Sequence, residues 1–168
     1  MKSLKPLYGF CGLLSGVSMV LICALVVAQI CARLLGTMVP SSDELAGYAM
    51  ASSGFLGLPY ALHRGAHIRV SLLFKALSRR GQHRLEIAGT LVGLAIASYL
   101  AWFSMLFVYE SHLFGEVSSG LLPIPMWIPQ VPMVIGTAML VVAMLDRLIC
   151  LVTERSFEVA DAQPALSE

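Results

Sequence analysis

Four stretches of the chain carry no charged side chain: Leu7 to Ala32, Leu45 to Leu62, Ile87 to Tyr109 and Val117 to Leu145. A helix rises about 1.5 Å per residue, so about 20 apolar residues cross a hydrocarbon layer ~30 Å thick. The pattern therefore predicts an all-α membrane protein of four transmembrane helices, at about 7–32, 45–62, 87–109 and 128–151. Pro59 lies near the end of the second and shortest run, where it predicts a kink or a stop. The fourth run opens with Pro123, Pro125, Pro129 and Pro132. These predict irregular chain to about Trp127, which anchors at the interface, and a helix from Ile128 or Pro129.

The links are equally patterned. Between the second and third runs, Val70, Leu73, Phe74 and Leu77 recur at helical spacing among Arg69, Lys75, Arg79 and Arg80. That spacing predicts a short amphipathic helix lying in the interface and ending at Gly81. Ahead of the second run, Ser41 and Glu44 have the spacing of a capping box, and Asp43 adds negative charge at the helix start. After Val152 the chain turns polar and net acidic, which predicts a mobile tail over 153–168 behind a transmembrane domain over 1–152. The first run is too long for the roughly 7–15 apolar residues of a cleaved signal, and Arg33 follows it as a stop-transfer charge. It reads as a retained span.

Composition fixes the class. Hydrophobic residues make up 58% and charged residues 12%, and the mean hydropathy is +0.82, far from a soluble domain. The net charge of +1 says little; its distribution says more. Lys2 and Lys5 precede the first run, six basic residues fill the second link, and Arg147 and Arg155 follow the fourth run. The third link has none, and Arg33 alone falls on the other side. The positive-inside rule then places both termini in the cytoplasm, with the basic link held at an anionic membrane surface.

Candidate chemistry is sparse. Cys11, Cys23, Cys31 and Cys150 sit within or at the ends of the first and fourth runs and read as packing residues. His63 and His67 are four apart, but Arg64, Gly65 and Arg69 around them disfavour a metal, and all four histidines are interfacial or in links. Glu110 and Asp146 lie only at the edges of spans, so no span offers an interior charge for coupling transport to ions. What the spans do carry is small residues in rows: Gly12 with Gly16, and Gly89, Gly93, Ala97 and Ala101. Such rows let helices approach closely, either within the chain or against a partner.

Two segments together resemble a known family, the small membrane subunit of tripartite ATP-independent periplasmic (TRAP) transporters. The first is "SSDELAGYAMASSGFLGLPYALHRGAHIRVSLL", with Asp43 and Glu44 opening the second span and Gly57, Tyr60, Gly65, His67 and Arg69 at its end. The second is "SSGLLPIPMWIPQVPMVIG", with Pro125, Trp127 and Gly136. Ser71 in place of a frequent acid, and Pro129 and Pro132, are mild departures. The resemblance implies a multi-pass protein of the bacterial inner membrane, without cofactor or enzymatic activity. Its partners would be a large permease subunit carrying substrate and sodium sites, and a periplasmic binding protein delivering an organic acid. This chain would support the static part of the large subunit. Two other readings compete: a membrane redox subunit with haem or quinone, which a Soret band would reveal, and a free-standing membrane-structural protein.

Overall fold

A computed structural model describes residues 5–64 and 79–152, with the side chains of 79, 80, 83 and 84 left aside. The predicted interfacial helix between 70 and 81 falls almost wholly outside these residues, as do Gly65, His67, Arg69 and the tail. Among the described residues four helices follow in order: α1 (Lys5–Leu34), α2 (Ser42–His63), α3 (Arg79–Leu113) and α4 (Trp127–Val152). Among the described residues there is no strand, only an isolated bridge between Val117 and Pro125. Lys5–Leu34, Leu85–Leu113 and Trp127–Val152 are long and apolar enough to cross a membrane. In α2, Gly47, Ser52, Ser53, Gly54 and Gly57 dilute the hydropathy.

The helices run alternately up and down. One end, here the near end, holds the starts of α1 and α3 and the ends of α2 and α4; the far end holds the two links 35–41 and 114–126. Each far link has a glycine at positive φ as its second residue, Gly36 (73°) and Gly115 (61°). A side chain there would strain the backbone, and the left-handed turn lets Thr37 N–H reach Ala32 O and Glu116 N–H reach Ser111 O.

α1 packs on α2, α2 on α4, and α4 on α3. Among the described helices α2 and α4 therefore occupy the middle, and α1 and α3 each have one substantial neighbour. Along α1 one line of buried and half-buried positions steps by three and four, Tyr8, Cys11, Ser15, Ser18, Ile22, Leu25, Gln29 and Ala32, with Gly12 and Leu14 half-buried beside it. α3 does the same with Thr90, Leu94, Ala97, Ala101, Ser104, Val108 and Ser111. A 3.5-residue repeat keeps one narrow seam facing the neighbour, as in left-handed helix pairs. Some hydroxyls along the helices are satisfied within their own helix, as when Thr90 donates to Glu86 O (2.8 Å) and Thr137 to Met133 O (2.9 Å), while Ser111 donates to Glu116 Oε2 in the following link (2.8 Å). Ser15 instead crosses to α2 and donates to Ser53 O at 2.8 Å, the kind of polar contact that holds helices together where lipid supplies no hydrophobic drive.

Two local expectations shift. Pro59 does not end α2, which continues to His63 with Pro59 buried inside it. α4 begins at Trp127 and carries Pro132 in its second turn. The prolines sit so near the helix start that few backbone bonds are lost.

Candidate functional site

At the far end the 116–126 link folds back on itself: Ser118 N–H donates to Ile124 O (2.8 Å) and Met126 N–H to Glu116 O (2.9 Å). This flap is pinned to the start of α2. Ser118 Oγ donates to Glu44 Oε1 at 2.6 Å, and Gly120 N–H donates to Ser118 Oγ at 3.2 Å. The other oxygen of Glu44 lies against Gly120 so closely that a Cβ there would occupy the carboxylate's place. Leu122 N–H donates to Ser41 Oγ at 3.1 Å, and Tyr48 OH approaches Met126 Sδ at 3.5 Å.

The capping-box reading of Ser41 and Glu44 is thereby corrected. Ser41 sits in the left-handed region and makes no side-chain cap, and both side chains turn to the flap. A neighbouring loop offers hydroxyl and amide donors from outside the helix, and these displace the local cap. Asp43 stays exposed in the first turn of α2. Beside the clamp, a groove of about 300 Å³ runs between Gln29, Arg33, Pro40, Asp43 and Leu121. Trp127 starts α4 and stands edge-on to His112, ring centroids 5.6 Å apart.

The near end holds a cluster that the charge-free runs do not announce. Tyr8 of α1 is 1% exposed and stacks on His63 of α2 at 5.2 Å. Asp146 of α4, at the edge of its uncharged run, is 9% exposed and lies within electrostatic range of Tyr8 and His63. Neither Tyr8 OH nor Asp146 Oδ1 has a hydrogen-bond partner among the described residues. Tyr8, Leu62 and Ala143 form one buried apolar cluster, with Met139, Leu140 and Met144 packed against it. One residue on, Arg147 pairs with Glu86 of α3 at 3.1 Å. The signal available in the sequence was that Asp146 lies three residues after Ala143, on the same buried face of α4. Among the described residues no three His, Cys, Asp or Glu lie close enough to hold a metal ion.

The small residues divide. Gly12 meets the Tyr60 ring, so that an added Cβ would lie 2.7 Å from Tyr60 Cγ; Gly57 faces Ser15 Oγ. Gly136 meets the backbone of Phe55. Gly93 faces Met144 Cε, and Ala97 and Ala101 lie in the α3 seam. Gly16 and Gly89 have nothing within 4 Å among the described residues. A row every four residues drifts by about 40° per step around a helix of 3.6 residues per turn, so one end of each row leaves the contact. Of the cysteines, Cys11 is buried, Cys150 half-buried, and Cys23 and Cys31 exposed; all four are free.

Residues from the two sequence segments thus meet at three levels: Glu44 with Ser118 and Gly120, Tyr48 with Met126, and Phe55 with Gly136. The family model for "Tripartite ATP-independent periplasmic transporters, DctQ component" matches residues 22–154. Among proteins of curated function, none matches the chain.

Proposed function

From the premise that the chain belongs to the DctQ component of tripartite ATP-independent periplasmic transporters, we propose that it braces the large permease subunit during sodium-coupled uptake of an organic acid. That component is a transporter part that works with a large permease and a binding protein, and the chain is a multi-pass membrane protein. In this reading α2 crosses the membrane as a fourth span between α1 and α4, and the interfacial helix expected to end at Gly81 lies ahead of α3, which already includes Gly81. Both termini and the tail face the cytoplasm, and the protein resides in the inner membrane. The far-end flap then faces the periplasm, where the binding protein delivers its cargo.

The observation that carries the reading is the closeness of the helices. Gly12 on Tyr60, Gly57 on Ser15 and Gly136 on Phe55 leave no room between α1, α2 and α4 for a substrate or for a sliding element. Close backbone packing makes a rigid body, which suits a support better than a carrier. In proteoliposomes with an inward sodium gradient, organic-acid uptake should require the large permease, the binding protein and this chain together. Undiminished uptake without this chain would remove the proposal.

Orientation has its own measurement. In a background free of the four cysteines, Ser78→Cys and Ser119→Cys should react with an impermeant maleimide from opposite sides, cytoplasm and periplasm. Ser119 is chosen because it is exposed, whereas the neighbouring Ser118 is committed to Glu44. Labelling of position 78 from outside whole cells would reverse the topology.

A further inference from the structure

α1 and α3 each turn a long face away from the rest of the chain, and the two faces differ in chemistry. That of α1 presents Leu13, Val17, Val20 and Met19, side chains that acyl chains solvate well. That of α3 presents Tyr99 (67% exposed) and Trp102 (62%), with Tyr109 further along. At about 100° per residue these three lie on the side opposite the Thr90, Ala97, Ser104 and Ser111 seam that meets α4. Tyr99 stacks on Phe103 at 4.4 Å, yet within the described residues neither its hydroxyl nor the Trp102 indole N–H has a hydrogen-bond acceptor.

Depth is what makes this informative. Tyrosine and tryptophan are ordinary where a helix leaves the bilayer, because the polar tip reaches the headgroups. On α3 the polar ends are marked by Glu86, which pairs with Arg147, and by Glu110. Tyr99 stands 13 residues from the first and 11 from the second, ~20 Å and ~16 Å along the axis. A tyrosine side chain reaches roughly one helical turn, ~5 Å, so its hydroxyl stops ~10 Å short of either end. Hydrocarbon offers no acceptor at that depth, and a protein helix does.

We propose that this face of α3, centred on Tyr99 and Trp102, is the surface covered by a transmembrane helix of the large permease subunit, which supplies acceptors to both side chains at mid-membrane depth. The inference rests on the function proposed above and names the surface through which it acts. Rigid aromatics with one polar atom are efficient anchors for such a contact. The face of α1 remains in lipid.

The test uses the assembled transporter in native membranes. A photoreactive benzoyl-phenylalanine at position 99 should crosslink to the large permease, and the same group at position 20 of α1 should not. The double variant Tyr99→Phe, Trp102→Phe removes both donors while keeping an aromatic ring at each position. It should cut recovery of the large permease with the tagged chain roughly five- to tenfold, while the chain's own content in the membrane stays unchanged. Adducts at 99 only with lipid or with a second copy of this chain overturn the inference, as does undiminished recovery from the double variant. Permease adducts at 20 in place of 99 remove the assigned face and leave the supporting role standing. If wild-type material carries no large permease at all, both fall together.

Discussion

Replacing Gly136 by valine should leave α2 unable to seat against α4. At this crossing a Cβ would run into the carbonyl and Cβ of Phe55, and backbone in the middle of a helix cannot swing aside. Overpacking of this kind costs roughly 1–3 kcal/mol even where side chains adjust, and here the obstacle is backbone. The expected outcome is a fall of roughly 5 °C or more in the apparent thermal midpoint in detergent, with most of the protein lost to aggregation. Gly93→Ala is the control. Its added methyl meets only Met144, whose flexible Cε end lies 3.1 Å away, so its midpoint should stay close to that of the wild type. If Gly136→Val melts with the wild type, the α2–α4 crossing is misplaced.

The second large effect belongs to Glu44. Its carboxylate accepts from Ser118 Oγ, and a hydrogen bond to a charged group contributes about 1.5–3 kcal/mol. Glu44→Ala should free the 116–126 flap, so that the amide protons of Ser118, Gly120 and Leu122 exchange with solvent roughly ten times faster or more. Gly120→Ala should release the same flap by another route, since its methyl needs the space the carboxylate fills. Because both changes break one contact, they should not add: Gly120→Ala should cost far less in the Glu44→Ala background. Additive losses would show that the two residues do not touch. If the flap faces the periplasm, the freed variants should also support slower uptake at a given concentration of binding protein.

These two residues sit in the segments that carry the family resemblance, and the geometry explains why such residue types suit those places. Glu44 and Gly120 are 76 residues apart and serve one contact; Gly136 is glycine because α2 passes over it. The membrane class and the approximate limits of α1 and α4 were legible in the charge-free runs, because the bilayer dictates a length and an apolar surface that any spanning helix must meet; α3 begins at Arg79, eight residues ahead of the expected 87, because a helix can run on past its apolar run into polar sequence. The family was legible in the two segments.

Contacts between helices were not. Ser41 and Glu44 have a spacing that fits a local cap, and only the arrival of the flap redirects them outward. The Gly89 to Ala101 row reads as one face, but the seam of α3 follows a 3.5-residue step that keeps Ala97 and Ala101 and leaves Gly89 open. Asp146 reads only as a residue at the edge of a span, and the packed helices bury it beside Tyr8 and His63. The difference has one physical origin. Whether a segment enters a membrane depends on its own transfer free energy, a sum over its residues that the sequence contains. Which face of a helix another helix covers depends on steric fit and hydrogen-bond partners brought from elsewhere in the chain, and those exist only once the helices have packed.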